Sequence, residues 1–244
     1  MNYMNLKIIG LALSISFPVF ADLKVGTVLF EPPFIMSPTQ GFDIDLMKLL
    51  CIRLKEKCTI IPMDFNKLFS ALDSGQVDLA IGGIVISDER KKKFIFSTPY
   101  LLSKAQFLIL SKNKTITSVD ALAKSNVGVI KGEEEGGTFY NYLIDNHAEQ
   151  FKVIEFNDME DIINALTDGS ISAAFLHKST ANYWIENGGG QFQDLGKDML
   201  LGDGLGIMAL SANIKLIQRL NQQLIDIEKG NSYLNLYNMY FANE

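Results

Sequence analysis

The stretch LDSGQVDLAIGGIVISDER, residues 72–90, contains an apolar run that is followed by a glycine pair, and it ends at an arginine. The run VDLAI at 77–81 has the composition of a strand, and Gly82-Gly83 predicts that the strand ends in a turn. Arg90 follows seven residues beyond Gly83. Its side chain either lies on the surface, as most arginines do, or binds an anion in a cleft, since its planar guanidinium matches a carboxylate.

Strands and helices alternate on both sides of this stretch. The hydrophobic pattern predicts strands at 23–29, 58–63, 77–81, 106–111, 126–130, 152–156, 172–176 and 204–210. It predicts helices at 42–55, 64–73, 134–146, about 159–168, 178–187, 213–229 and 231–241. Such alternation is typical of an α/β fold with a mostly parallel sheet.

The order of these segments predicts two lobes. Residues 22–106 and 203–244 form a discontinuous first lobe, and residues 107–202 form the second. Two connections between lobes make a natural hinge, and the cleft between them is where a small ligand is expected.

The N-terminus predicts export. In residues 1–21, Lys7 is the only charge, the apolar run IIGLALSISFPVF follows it, and Ala21 ends a cleavage-site pattern. That run is short for a membrane span. We therefore expect a signal peptide at 1–21 and a soluble periplasmic protein that begins at Asp22. The net charge of −6 argues against nucleic acid as a partner.

The two cysteines, Cys51 and Cys58, lie at the end of a predicted helix and the start of a predicted strand. An exported protein can form a disulfide, and a bridge here would join the two elements across a short loop. Two cysteines with no nearby histidine make a poor zinc site. We expect a disulfide and no metal.

Several motifs together resemble the periplasmic solute-binding proteins of family 3, which bind polar amino acids. The lysine/arginine/ornithine- and histidine-binding proteins are the most similar members. The matching segments are GFDIDL at 41–46, the cysteine pair, Asp64-Phe65, LDSGQVDLAIGG at 72–83, Arg90, FSTPY at 96–100, and more weakly VGVIKG at 127–132 and GSISAAF at 169–175. The resemblance implies a type II two-lobe fold, with an α/β sandwich in each lobe and two crossover strands between them.

The resemblance also implies roles for individual residues. Arg90 is the expected partner of the ligand's α-carboxylate, and Phe65 is the aromatic residue that packs on the ligand side chain. Gly83 is expected to accept a hydrogen bond from the α-amino group through its carbonyl. Gly132 begins the turn into a helix whose free N–H groups also hold the carboxylate.

Four positions depart from the family pattern. Val85 replaces a hydroxyl residue that contacts the ligand, and His177 replaces the aspartate that pairs with the α-ammonium. Glu31 stands where many members have an aromatic residue. Glu134 belongs to a run of three glutamates where the family has small hydroxyl residues.

These departures leave the ligand open. Retention of Arg90 predicts an acid group on the ligand, because an Arg–carboxylate pair is costly to break. Glu31 or Glu134 would suit a cationic ligand such as a basic amino acid, and loss of the aspartate would suit a ligand without an α-ammonium. Glu31 could instead bridge the closed lobes, as in glutamate-receptor cores that share its E-x-P-aromatic stretch. His177 could be a cleft histidine without a titrating role.

The resemblance implies a non-enzymatic, monomeric substrate-binding protein of an ABC importer, without a cofactor. It would bind an amino acid or related carboxylate and deliver it to an inner-membrane permease. An enzyme on the same scaffold, similar to cyclohexadienyl dehydratase, is the alternative, since acids in a cleft can transfer protons. A sensory module that reports to a separate membrane partner is another.

Overall fold

Two five-stranded sheets organise the part of the chain that the computed structural model describes, residues 22–132 and 137–242. The predicted signal peptide and Glu134 lie outside these residues. The strands are β1 Leu23–Val28, β2 Cys58–Met63, β3 Leu79–Ala80, β4 Ile95–Phe96, β5 Lys104–Leu110, β6 Asn126–Ile130, β7 Lys152–Phe156, β8 Ala173–His177, β9 Phe192–Leu200 and β10 Met208–Ala209. The α-helices are α1 Phe42–Leu54, α2 Phe65–Asp73, α3 Asp88–Lys91, α4 Thr138–His147, α5 Met159–Asp168, α6 Lys178–Asn187, α7 Ile214–Lys229 and α8 Ser232–Phe241.

The two sheets share one topology. The strand order is β2-β1-β3-β10-β4 in the first sheet and β7-β6-β8-β5-β9 in the second. In each sheet the fourth strand, β10 or β5, runs antiparallel to both neighbours, so the remaining strands all point the same way. The predicted two-lobe α/β fold with mostly parallel sheets is confirmed. We call the sheets with their helices the first and second lobes.

Most element predictions are confirmed to within a few residues, but several details differ, among them the short strand β4, which was not predicted. The strand predicted at 204–210 is only two residues long, because the segment before it connects the lobes. The one-turn helix α3 carries Arg90 and was not predicted. Strand β9 was also missed, since its sequence FQDLGKDML does not alternate cleanly between apolar and polar residues.

Two antiparallel segments connect the lobes. One runs from β4 to β5 and the other from β9 to β10. They pair at Leu101 and Leu205, where the backbone N–H of Leu205 donates to the carbonyl of Leu101 at 2.8 Å. The second sheet begins at Lys104 and ends at Leu200, so the lobe boundaries at 106/107 and 202/203 remain predictions.

Each lobe has its own apolar core. Helix α7 packs its predicted stripe against the first core through Ile217, Leu220, Leu224 and Ile227. In the second lobe, two clusters lie on opposite faces of the sheet, one around Phe107 and Phe175 and the other around Ile162 and Leu166. None of the described helices is both long enough and apolar enough to cross a bilayer.

Candidate ligand-binding site

Arg90 is buried in the cleft rather than exposed on the surface, with 5% of its area accessible. Helix α3 carries it, and the side chain of Ser87 caps this helix by accepting from the backbone N–H of Arg90. The guanidinium donates to the carbonyl of Val85 at 2.9 Å. Its Cζ lies 5.5 Å from the ring centre of Phe65 and 5.2 Å from that of Phe69, which is cation–π distance. These contacts hold the cation in one place.

The glycine pair makes the turn that leads to Arg90. Gly82 has φ 146° and Gly83 has φ 65°, values that L side chains rarely adopt. Asp43 holds the turn in place, because its Oδ2 accepts a hydrogen bond of 2.8 Å from the N–H of Gly83. The same oxygen accepts from the hydroxyl of Tyr100 at 2.9 Å. The motif GFDIDL therefore contributes a buried acceptor that positions the turn.

Asp43 has no exposed surface. Burial raises the pKa of its carboxyl to about 7, because a charge is poorly solvated there, while the hydrogen bonds from Gly83 and Tyr100 act in the opposite direction. Its other oxygen, Oδ1, has no partner among the described residues.

A cavity between the lobes contains the turn, Arg90 and the end of β8. Its water-accessible volume is about 50 Å³, enough for only a small solute in this arrangement. The described residues that line it are Glu31, Phe65, Gly82, Gly83, Val85, Arg90, Ile130, Gly132, Gly137, Thr138, Phe139, Phe175, Leu176 and His177. The lining is largely apolar, with few polar groups, as in many small-molecule sites.

His177 ends β8 and brings the second lobe against the turn of the first. Its ring packs edge-on against Phe34, with centroids 5.3 Å apart, and against Phe139 at 4.7 Å. Its Nε2 lies close to Gly83, since a Cβ atom added to that glycine would be 3.2 Å away from it. Burial lowers the pKa of His177 to about 4, and the nearby charge of Arg90 lowers it further, whereas the neighbouring backbone of Gly83 raises it. The imidazole is therefore neutral near pH 7.

Glu31 faces the cavity from a tight loop after β1, where its backbone pairs in both directions with Ile35. Its carboxyl accepts a hydrogen bond of 2.9 Å from the hydroxyl of Thr180 in helix α6 of the second lobe. Burial raises the pKa of Glu31 to about 8, and the charge of Asp43 adds to the rise, while the Thr180 hydrogen bond opposes it. Glu31 is thus held between the lobes and favours its protonated form near neutral pH.

Six predicted site residues line this single cavity: Glu31, Phe65, Gly83, Val85, Arg90 and His177. Their roles in ligand binding stay predictions, and Glu134 lies outside the described residues. Sequence reasoning missed Phe139 and Phe175, whose apolar character resembled ordinary core positions. It also missed Thr180, whose contact with Glu31 gives no local sequence signal.

The predicted disulfide is present between Cys51 and Cys58, whose Cα atoms are 6.2 Å apart. It joins the end of α1 to the start of β2 and does not line the cavity. The bridge is therefore a feature of the first lobe's framework rather than of the candidate site.

Comparison with known proteins agrees with this architecture. Residues 23–243 match the family described as bacterial extracellular solute-binding proteins, family 3. The chain belongs to this family. A curated relative from Escherichia coli K12, a putative ABC transporter arginine-binding protein 2, is 29% identical over 93% of this chain and 94% of its own.

Solved structures of the family superpose closely on this chain. An arginine 3rd transport system periplasmic binding protein from Legionella pneumophila has a TM-score of 0.83 and 34% identity, covering 90% of this chain and 99% of its own. An ancestral arginine-binding protein bound to arginine has a TM-score of 0.81 and 29% identity, with 90% and 98% covered. Known relatives are thus amino-acid-binding proteins of ABC transport systems.

Proposed function

We propose that this family 3 protein is the periplasmic solute-capturing component of an ABC importer, and that it holds a small carboxylate, an amino acid or a related acid, between its lobes. The observation that carries the proposal is the position of Arg90, buried at the cavity with its guanidinium over Phe65. A guanidinium fixed in a largely apolar cavity is a strong partner for a carboxylate, since little water competes with it.

The two lobes contribute different residues to ligand binding. The first lobe presents Arg90, Phe65 and the Gly82-Gly83 turn, and the second lobe covers them with His177 and Phe139. The solute enters when the lobes are apart and favours the closed arrangement because it contacts both. The closed form is the one that a membrane permease would recognise. This cycle needs neither a chemical step nor a cofactor.

Arg90→Ala tests the carboxylate contact. Calorimetry of wild type against a panel of amino acids and related acids identifies a ligand, and the variant is measured with that ligand. Truncating one partner of a buried charge pair costs about 3–5 kcal/mol, so affinity should fall by at least about a hundredfold. Arg53→Ala, at an exposed arginine of α1, is the matched control and should bind as wild type does. Equal affinity in Arg90→Ala would remove the basis for the proposal.

The raised pKa of Glu31 supports a second candidate, an enzyme that uses this carboxyl as a general acid. A carboxyl with a pKa of about 8 that faces a cavity can donate a proton at neutral pH. Long incubation of the purified protein with each ligand found in the panel, followed by mass spectrometry, tests this candidate. Product formation that is lost in Glu31→Gln would support catalysis, and unchanged substrate would reject it.

A further inference from the structure

The segment that follows β1 contacts helix α6 of the second lobe at two consecutive residues. Glu31 accepts the hydrogen bond from Thr180, and the ring of Phe30 lies edge-on against that of Trp184, with ring centres 6.4 Å apart and planes inclined by 81°. Thr180 and Trp184 are four positions apart in α6, so both side chains lie on one face of that helix. The Phe30–Trp184 contact therefore joins the lobes beside the Glu31 hydrogen bond.

Phe30 is anchored in the first lobe but packs on the core of the second. Val28 and Phe34, which lie on either side of it in the chain, both belong to the first lobe's apolar core. The ring of Phe30 is partly buried against an apolar cluster of the second lobe that includes Ile162. Its neighbour Leu29, by contrast, is 48% exposed. Separation of the lobes would return the Phe30 ring to water, which is unfavourable for an apolar surface.

Trp184 has further aromatic neighbours that move with it. Its ring centre lies 6.0 Å from that of Phe192 in β9 and 5.7 Å from that of Tyr183, and both residues belong to the second lobe. The described lining of the candidate ligand cavity includes neither Phe30 nor Trp184. Trp184 is the single tryptophan of the chain, so the tryptophan fluorescence of the protein reports on this position.

We propose that the Phe30–Trp184 contact stabilises the closed lobes and so determines how long a solute stays bound, although neither residue is part of the described cavity lining. The inference rests on the proposed function, because it concerns how the same cleft retains its solute. A contact outside the cavity favours closure by the same free energy for every solute. It should therefore raise affinity without changing which solute is preferred. It should act on dissociation rather than association, because the solute enters while the lobes are apart.

Small-angle X-ray scattering without any solute tests the contact. Phe30→Ala removes the ring that the first lobe contributes, so the radius of gyration should increase relative to wild type. Leu29→Ala, at the exposed neighbouring position, is the matched control and should scatter as wild type does. A folded Phe30→Ala whose scattering curve is identical to that of wild type would overturn the inference. If Phe30→Ala does not fold, Phe30→Leu is measured in its place, with the same expectation and the same overturning result.

Acrylamide quenching of Trp184 fluorescence separates lobe opening from a local change around the indole. Phe30→Ala should raise both the quenching constant and the radius of gyration. Phe192→Leu alters a neighbour of Trp184 inside the second lobe, so it should raise quenching and leave the radius of gyration unchanged. An equal increase in radius for Phe192→Leu would show that the lobes respond to any disturbance of the indole, and that result would contradict the proposal.

Stopped-flow kinetics test the consequence, with the two compounds of the calorimetric panel that bind wild type most tightly. In Phe30→Ala both dissociation rate constants should rise by about tenfold, the factor that corresponds to one buried aromatic contact, while association should change by less than about twofold. An effect on one compound only, or on association alone, would overturn the inference and leave the proposed function standing. If no compound of the panel binds wild type, the proposed function is contradicted, and the scattering comparison still decides whether the contact holds the lobes closed.

Discussion

The carboxyl of Glu31 and the hydroxyl of Thr180 meet across the cleft at 2.9 Å, although 149 positions separate them in the chain. Thr180 has no exposed surface and Glu31 is 9% exposed, so water does not readily replace either partner. Because Glu31 belongs to the first lobe and Thr180 to the second, this contact exists only when the lobes are closed. It is therefore a contact that favours closure.

Thr180→Val should shift the lobes towards the open arrangement. Valine keeps the shape of threonine but cannot donate, and an unpaired buried polar group costs about 1–3 kcal/mol. Small-angle X-ray scattering of the ligand-free protein should show a larger radius of gyration for the variant. Thr167→Val, on an exposed face of α5, removes a hydroxyl that bonds only within its own helix and should leave the scattering unchanged. Identical curves for Thr180→Val and wild type would show that this bond does not hold the lobes together.

Glu31→Gln should flatten the fall in stability with rising pH. A carboxyl whose pKa is raised from 4.5 to about 8 holds a proton in the folded protein that it releases in the unfolded chain. Stability contributed by this group is therefore present below pH 4.5 and is lost as pH rises towards 8, by up to about 1.4 kcal/mol per pH unit. Glutamine cannot titrate, so it removes this dependence.

In the interval from pH 7 to 8, Glu31 contributes more to the slope than its neighbours do. Asp43, with a pKa of about 7, still titrates at the start of the interval and contributes less as the pH approaches 8, and His177, with a pKa of about 4, is neutral throughout. Thermal unfolding across this interval should show a falling melting temperature for wild type and a flatter curve for Glu31→Gln. Glu160→Gln, at an exposed position of α5, should follow wild type. Parallel curves for all three proteins would contradict the raised pKa.

The framework of the fold could be predicted because its signals are local. Strand β2 at Cys58–Met63 and helix α6 at Lys178–Asn187 have the predicted bounds, since apolar periodicity and flanking breakers mark both. Strand β9 could not be predicted in this way. It lies at the edge of the second sheet and, among the described strands, pairs with β5 alone, and its exposed and buried residues do not alternate regularly.

The site could be predicted only in part, because it depends on contacts between distant segments. The burial of Arg90 is not evident from its neighbours, as three lysines follow it directly, and only the family resemblance placed it in the cleft. The change to His177 was visible in the sequence. Its packing against Gly83 was not, because that contact requires strand β8 and the glycine turn to meet across the closed lobes.

Asp43→Ala should destabilise the protein more than Asp43→Asn does. The alanine variant leaves two buried donors, the N–H of Gly83 and the hydroxyl of Tyr100, without their acceptor. Each unpaired group costs about 1–3 kcal/mol, so the free energy of unfolding should fall by about 2–4 kcal/mol in urea titrations at pH 8. Asparagine keeps an acceptor oxygen and removes a buried charge, so its loss should stay below about 1.5 kcal/mol. Asp145→Ala, at an exposed position of α4, is the control and should change stability little. Equal losses for the two Asp43 variants would mean that the charge, rather than the acceptor geometry, holds the glycine turn in place.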